Sequence, residues 1–385
     1  MLAIAWATLR PMPGSGPPLP SCFLCAPRAV ADALLNVVMF LPVGALLGTR
    51  LKVWQAIALG ASISGAIEVA QLLIPGRDPT LSDVLFNTLG AALGVALARS
   101  ARHSLAPTVW LGNALAVAWT VLALGTVALT GWLLEPLSPP PPYTVMWTPY
   151  LGGMEQYDGR ILEAMIGDEP LRRGAADGPW VERLAGGAPI RVRMTVGPFP
   201  ERLAPVLTFH DEAFEEAVLL GVRANDLVYR RQTRAHRWHL DAPELRASGI
   251  LAGRRPGDTV RVATASTAAG QCFAVERDRR CGIGENAGGG WHLLYSGDTL
   301  RPVAGKAVNA LWLGLLVLPI GYWGQRRTGV VLGLVVAWYT HVRAPQDSVL
   351  LPAGWVEAAG LALGIAGGMV LSELARRWLR ARGAP

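Results

Sequence analysis

Long apolar segments separated by short basic turns occupy the first third and the last fifth of the chain. A helix needs about 20 apolar residues to cross the ~30 Å hydrocarbon core of a bilayer. On this basis the pattern predicts membrane spans at residues 29–48, 53–74, 81–98, 108–134, 303–323, 329–342 and 354–374. The span at 329–342 is short for a complete crossing, whereas the others fit the required length.

The basic residues predict an orientation for these spans. Lysine and arginine beside membrane helices favour the cytoplasm. The spans alternate without conflict if four basic groups are cytoplasmic: Arg50 with Lys52, Arg99 with Arg102, Arg326 with Arg327, and the arginines that follow residue 374. The turn at Arg77 and the middle of the chain are then outside the cytoplasm, and the predicted location is the plasma membrane.

The middle of the chain has a different pattern, with short runs of alternating apolar and polar residues between Gly, Pro, Asp and Asn clusters. Such runs are typical of strands joined by hairpins. They predict strands at residues 190–196, 204–210, 225–232, 259–266 and 290–297, and a two-sheet sandwich is the simplest arrangement. The Pro-rich run at residues 136–142 separates this region from the spans before it, because proline cannot continue a helix.

The predicted fold class is therefore an α-helical polytopic membrane protein with an inserted extracytoplasmic all-β sandwich domain. Its parts are a short apolar stub with a Pro/Gly loop at 1–28, a helical bundle at 29–135, the sandwich at 136–302, and C-terminal helices with a basic cytoplasmic tail at 303–385.

The composition supports a membrane protein and argues against a nucleic-acid partner. Apolar residues make up 51% of the chain and the mean hydropathy is +0.33. The formal net charge of +7 comes from arginines that punctuate spans, without a basic stripe or a known nucleic-acid motif. Membrane lipids are the expected surroundings, and no motif predicts a cofactor or a metal.

The four cysteines form two pairs. Cys272 and Cys281 are expected to form a disulfide if their domain is exported, since disulfides persist outside the cytoplasm; free thiols are the alternative. Cys22 and Cys25 form a CxxC pair without a second pair or a His cluster, so they predict no metal site. A thiol pair or a small disulfide is the simpler interpretation.

Polar residues interrupt the apolar segments of residues 29–98 at one level. Ionisable groups are rare at such depth and usually face a partner or a cavity. At 1.5 Å per residue, Asn36, Glu68 and Asn87 each lie roughly 9 to 10 Å below the outer end of their helices. The predicted site consists of Asn36, Glu68, Gln71, Arg77, Asp83 and Asn87.

Two interpretations of this level remain open. In the first, the polar groups only hold the helices together, with Glu68 bonded to Asn36 or Asn87 or paired with Arg77. In the second, they form a site open to the outer leaflet, with Arg77 on an anionic head group and Glu68 or Asp83 handling a proton or a cation.

Helix signals surround the predicted site. Thr80 and Asp83 have the spacing of a capping box that begins a helix. Small residues at GxxxG spacing, Gly44 with Gly48 after Pro42 and Gly90 with Gly94, predict close approach of helix backbones.

These residues resemble the VanZ-like membrane proteins. The resemblance covers residues 29–100, where an ordered set of residues matches the pattern of that family: Asn36, Phe40, Pro42, Gly44, Glu68, Gln71, Arg77, Asp83, Asn87, Gly90 and Gly94. The family takes its name from a protein linked to low-level resistance to the glycopeptide teicoplanin. The sandwich resembles the concanavalin/laminin-G jelly rolls through its strand pattern and the ending GGGWHLLYSG.

A weak internal sequence similarity occurs near the C-terminus. Arg343, Pro345 and Asp347, followed by Gly360 and Gly364, repeat the residue order of 77–94 with a different spacing from Asp to Gly. The safer interpretation of this stretch is a second polar turn outside the membrane, containing Asp347 and Glu357.

Three functions fit these observations. The first is recognition or shielding of an envelope lipid, glycan or glycopeptide at the outer leaflet, with the sandwich engaging glycan or peptide above the membrane. The second is an enzyme acting on a lipid-linked or phosphorylated head group, with Arg77 on the phosphate and Glu68 or Asp83 as acid or base. Transport is the third, but it needs polar groups in both leaflets. No nucleophile elbow or P-loop points to a particular reaction.

Overall fold

The computed structural model describes residues 28–74, 80–176, 178–295 and 302–381. Within these ranges, six helices are long and apolar enough to cross a membrane. A domain of two antiparallel sheets lies between the fourth and fifth of them in the chain. The prediction of a multi-pass α-helical membrane protein with an inserted β domain is confirmed.

The helices follow the predicted spans closely. In chain order they are α1 Ala29–Gly48, α2 Val53–Gln71, α3 Leu81–Leu105, α4 Val109–Leu133, α5 Trp180–Ala185, α6 Arg234–Arg237, α7 Pro302–Trp323, α8 Arg326–Trp338, α9 Ala344–Asp347 and α10 Trp355–Ala381. The six candidate spans lie in α1 to α4, α7 and α10.

The predicted span at residues 329–342 is not among these six. It falls in α8 and in a π-helical turn, Tyr339–Arg343, which joins α8 to α9 and divides the segment into short helices. The helical path from Arg326 to Asp347 is nevertheless continuous and about 33 Å long, close to the thickness of a bilayer core.

Two pairs of helices pack through glycines in the same way. In the first pair, a Cβ on Gly94 of α3 would lie 2.0 Å from the Leu41 carbonyl oxygen of α1. In the second, a Cβ on Gly368 of α10 would lie 2.1 Å from the Leu318 carbonyl oxygen of α7. Only glycine allows such close contact between helix backbones.

The match between the two pairs extends along both helices. One turn earlier in the first pair, a Cβ on Gly90 of α3 would clash with the Val37 carbonyl of α1. At the matching position in the second pair, a Cβ on Gly364 of α10 would clash with the Gly314 carbonyl of α7. The reverse contact, from the first helix of each pair to the second, is also shared. A Cβ on Gly44 of α1 would clash with the backbone of α3, and a Cβ on Gly321 of α7 would clash with the backbone of α10. Each of these glycines is the last residue of a Pro-x-Gly sequence. The N- and C-terminal membrane segments therefore contain the same helix-pair geometry.

The β domain is a sandwich of two six-stranded sheets with a continuous apolar core between them. The sheet orders are β4-β1-β6-β7-β8-β9 and β12-β11-β10-β5-β2-β3. The strands are β1 Tyr143–Trp147, β2 Ile161–Ile166, β3 Glu169–Pro170, β4 Gly174–Ala176, β5 Ile190–Thr195, β6 Ala204–His210, β7 Glu216–Arg223, β8 Asp226–Arg231, β9 Leu245–Ala247, β10 Thr259–Thr267, β11 Gly270–Val275 and β12 Asp278–Ile283.

One predicted strand is wrong. Within residues 290–297 the structure has the end of a 3-10 helix, Ala287–Leu293, rather than a strand. Its glycines allow the backbone to lie against the membrane helices: a Cβ on Gly290 would be 3.0 Å from the Thr130 hydroxyl of α4 and the Trp312 indole nitrogen of α7. The GGGWHLLYSG ending therefore does not support a jelly roll.

The β domain packs firmly on one end of the membrane bundle. The backbone N–H groups of Val30 and Ala31, at the start of α1, donate to the His239 carbonyl at 3.2 and 3.3 Å. Arg234 of α6 forms a 2.7 Å ion pair with Glu135, just after α4. Helix α6 and the 3-10 helix also share an apolar core with α1, α4 and α7. Sandwich and bundle therefore form one body at this end.

Candidate functional site

A half-buried amide–carboxylate pair joins the first and third membrane helices. The Asn36 side chain of α1 donates from Nδ2 to Oδ1 of Asp83 in α3 at 2.7 Å. Asp83 lies in the first turn of α3, where the positive end of the helix dipole favours a carboxylate. The residues are distant in sequence, but the glycine contacts between α1 and α3 bring their ends together.

The start of α3 links this pair to Glu68. The Thr80 side chain caps α3 by accepting from the Asp83 backbone N–H at 3.2 Å, as half of the predicted capping box requires. The Thr80 backbone N–H donates to Oε2 of Glu68 in α2 at 2.9 Å. A carboxylate from the neighbouring helix thus accepts the bond expected at Asp83, and hydrogen bonds run from α1 through the start of α3 to α2.

A second contact lies one turn deeper along α3. Asn87 donates from Nδ2 to the hydroxyl of Ser64 in α2 at 2.9 Å, and the two residues are 2% and 0% exposed. The Asn87 Oδ1 atom is buried without a hydrogen-bond donor in the described part of the chain. A buried amide oxygen without a donor is unusual and costs free energy.

We call this group the polar seam: Asn36, Ser64, Glu68, Gln71, Thr80, Asp83 and Asn87. Glu68 and Gln71 are buried on the face of α2 that also carries Ser64. Asn36 donates to Asp83 and Asn87 donates to Ser64, whereas the first interpretation of the sequence paired them with Glu68. Arg77 lies outside the described residues.

Ser64 and Thr80 are members of the seam that sequence reasoning did not assign to the site. Ser64 is four residues before Glu68 and therefore on the same stripe of α2, which is the signal that could have revealed it. Thr80 was recognised only as a helix cap. Its backbone N–H is the group that connects α2 to α3.

The polar seam is at the end of the bundle that carries the β domain. Helix α1 begins with its first N–H groups bonded to His239 of that domain, and Asn36 lies only about 9 Å further along the helix. Asp83 and Thr80 are at the corresponding end of α3, and Glu68 is near the end of α2. The seam and the sandwich therefore face each other across a short distance.

The predicted packing residues lie where the helices approach most closely. Besides the contacts of Gly90 and Gly94, a Cβ on Gly44 would be 1.9 Å from the Ala91 carbonyl oxygen, and one on Gly48 would be 3.0 Å from Val95 Cα. Pro42 lies inside α1 without ending it. Together these contacts fix α1 against α3 beside the Asn36–Asp83 bond.

A second buried polar group occupies the C-terminal half. Glu357 in the first turn of α10 is 5% exposed. It accepts bonds from Asn286 at 3.0 Å, Asn309 of α7 at 3.3 Å and the Gly354 backbone N–H at 3.0 Å. Asn309 also accepts from the Trp291 indole at 2.8 Å. This group, which we call the anchor cluster, fastens the 3-10 helix to the bundle.

Asp347 and Glu357, which the sequence places in one polar turn outside the membrane, have different surroundings in the structure. Asp347 is half exposed and pairs with Arg343 on its own helical segment at 2.8 Å. Glu357 is buried beneath the 3-10 helix, because that helix covers the start of α10.

The remaining chemically reactive groups are the cysteines and the side chains that could bind a metal. Cys272 and Cys281 form a disulfide that joins β11 to β12, with an S–S distance of 2.06 Å. Cys22 and Cys25 lie outside the described residues. Among the residues that the structure describes, no group of three or more His, Cys, Asp or Glu is placed to hold a metal ion.

Comparison with known proteins identifies one related family. A family model described as VanZ/LLP1 matches residues 8–102, a range that contains every member of the polar seam. No curated protein and no solved structure was found to match the chain. Residues 8–102 are thus similar to this family, and the six apolar helices indicate a multi-pass membrane protein.

Proposed function

We propose that the protein recognises or shields a component of the cell envelope, a lipid, glycan or glycopeptide, at the outer leaflet of the plasma membrane. The observation that carries this proposal is the position of the polar seam at the end of the bundle on which the sandwich packs. A ligand between the membrane surface and the sandwich would meet both.

The sandwich supplies a second surface suited to an acidic glycan or peptide. A groove of about 320 Å³ crosses the outer face of β2, β5 and β10 and is lined by Arg191, Arg193 and Arg261. Arg193 is opposite Arg261 in the neighbouring strand, and its only ion pair among described residues, with Glu163, is 3.5 Å long and exposed. Such exposed pairs are weak, so Arg193 is available to an anionic ligand. Arg191 is already held by the Gly167 carbonyl at 2.6 Å and by Asp168 at 3.1 Å.

The role of Glu68 can be tested in the membrane-embedded protein. Full-length wild type, Glu68→Gln and Glu68→Leu are purified in native-lipid particles, and the retained envelope lipids and glycans are identified by mass spectrometry. We expect wild type to retain a defined component and Glu68→Leu to lose it. Glu68→Leu should also lower the free energy of unfolding by about 1–3 kcal/mol, because the Thr80 N–H loses its acceptor. Glu68→Gln separates a hydrogen-bonding role, which it preserves, from proton or charge chemistry, which it abolishes.

Two serines on α2 provide matched controls. Ser64→Leu removes the acceptor of Asn87 from a fully buried position, whereas Ser62 is exposed and, among the residues described, bonds to the Ala58 carbonyl of its own helix. Ser64→Leu is expected to reduce retention and Ser62→Leu to leave it unchanged. Retention of the same components by all variants, or of no component by wild type, would rule out the proposed role. The link to teicoplanin is tested by the inhibitory concentration of that antibiotic for cells with and without the protein.

The proposed orientation gives a separate prediction. In a background with Cys22 and Cys25 replaced by serine, Glu212→Cys on the exposed surface of the sandwich should react with an impermeant maleimide in intact cells. Arg326→Cys at the start of α8 should react only after the cells are opened. Labelling of position 326 from outside would show that the β domain is cytoplasmic.

A further inference from the structure

A pocket of about 290 Å³ lies where the sandwich meets the membrane bundle. Strands β8 to β11 form its upper wall, and the end of α4 with the segment after α9 forms the lower wall. Leu134, Leu350 and Leu351 make the lower wall apolar. The pocket is separate from the polar seam and contains none of its residues.

An arginine faces inward at the upper wall. Side chains two apart on a strand point to the same face, and Tyr229, two residues before Arg231, belongs to the sandwich core. Arg230 points the other way and pairs with Glu216 at 2.6 Å. Arg231 lines the pocket, and its guanidinium forms no ion pair or hydrogen bond with any residue that the structure describes.

Such an arginine is unfavourable without a counter-charge. Guanidinium stays charged in proteins, and a largely buried charge without a partner destabilises the folded state. Burial lowers the pKa of Arg231, which reflects this cost. Burial also raises the pKa of the neighbouring Tyr229 hydroxyl, so that hydroxyl remains protonated and able to donate at neutral pH.

We propose that this pocket binds the phosphate of a lipid head group, with the Arg231 guanidinium and the Tyr229 hydroxyl as donors. Arginine recognises phosphate through two parallel N–H bonds, and the tyrosine hydroxyl adds a neutral donor beside them. The volume is at the lower limit of ligand pockets, which suits a head group, and the leucines of the lower wall suit the apolar stem that follows.

The other charged group in the lining favours a small anion. Glu285 lines the same pocket and bonds to His292 at 2.9 Å through Oε2. No ion pair joins Arg231 to Glu285 among the described residues, so the two charges are not in direct contact. The Glu285 carboxylate would repel an extended polyanion that fills the pocket more strongly than a single phosphate placed at Arg231. The site therefore differs in selectivity from the arginine groove on the outer face of the sandwich.

The test compares lipids that differ only in phosphate. Full-length protein in detergent is titrated with dioleoyl phosphatidic acid, with dioleoyl glycerol and with inorganic phosphate, and binding is followed by native mass spectrometry. We expect at least tenfold preference for phosphatidic acid over dioleoyl glycerol. If inorganic phosphate binds as tightly as phosphatidic acid, the pocket recognises the phosphate alone and the proposed lipid ligand is wrong. If inorganic phosphate binds more weakly than phosphatidic acid, the apolar stem contributes to binding.

The variants separate binding from a structural role. Arg231→Gln should reduce binding of phosphatidic acid at least tenfold and leave the ligand-free unfolding temperature equal or higher, because it removes an unpaired buried charge. Tyr229→Phe should reduce binding several-fold. Arg237→Gln, which removes the same charge from an exposed position in α6, should change neither. A lower ligand-free unfolding temperature or failure to accumulate in Arg231→Gln, or unchanged binding in that variant, would overturn the proposal.

Discussion

Gly44→Ala is expected to prevent most of the protein from accumulating in a folded form. The new methyl carbon would lie 1.9 Å from the Ala91 carbonyl oxygen, which belongs to the backbone of α3 and cannot rotate away. Helices α1 and α3 would have to separate, with loss of packing and of the Asn36–Asp83 bond. Overpacking of this kind costs about 3 kcal/mol or more. Accumulation in membranes and the unfolding temperature of purified protein measure the effect.

The control for this substitution is a glycine on the neighbouring helix. A Cβ on Gly65 of α2 would meet nothing within 4 Å, so Gly65→Ala should be neutral or slightly stabilising, because alanine favours the helix. The same contrast is expected in the C-terminal half between Gly364→Ala, whose Cβ would be 2.2 Å from the Gly314 carbonyl oxygen, and Gly367→Ala, which meets open space. Equal unfolding temperatures for Gly44→Ala and Gly65→Ala would contradict the close backbone contact.

Glu357→Leu is expected to release the 3-10 helix from the membrane bundle. The carboxylate accepts from Asn286, Asn309 and the Gly354 N–H, and leucine would leave these donors without a partner. Each unsatisfied buried donor costs about 1–3 kcal/mol, although the three costs are not additive. We expect a large fall in unfolding temperature and rapid proteolysis after β12, where the released segment begins.

Two variants define what the loss means. Glu357→Gln keeps one side-chain oxygen as an acceptor and should show a much smaller fall than Glu357→Leu. Glu373 is exposed on the same helix, and its ion pairs within the described part of the chain are with arginines along α10, so Glu373→Leu should leave the unfolding temperature unchanged. A wild-type proteolysis pattern in Glu357→Leu would mean that the apolar contacts of the 3-10 helix are sufficient to hold it.

The membrane helices could be predicted because their apolar length is a property of consecutive residues. The level shared by Asn36, Glu68 and Asn87 could also be derived, since depth follows from helical rise alone. The hydrogen-bond partners of these side chains could not be predicted. The Asn36–Asp83 and Asn87–Ser64 bonds depend on how α1, α2 and α3 rotate about their axes, and the glycine contacts that set this rotation are tertiary.

The mistaken strand at residues 290–297 has a different cause. Trp291 and Leu293 alternate with polar neighbours as they would in a strand, and the preceding glycines are typical of a hairpin turn. The same glycines permit a backbone to pack directly on α7 and α10, which no local pattern can distinguish from a turn. The burial of Glu357 was missed for the same reason, since the segment that covers it comes from the β domain.

The matched glycine contacts of α1 with α3 and of α7 with α10 imply a duplicated architecture. Both α1 and α7 start at the face occupied by the β domain, so the two units run in the same direction. Repeats of this parallel kind are related by rotation about the membrane normal. Asp83 and Glu357 hold equivalent places, each seven residues before a packing glycine, Gly90 or Gly364. The chain thus carries two versions of one helical unit, with the sandwich inserted between them.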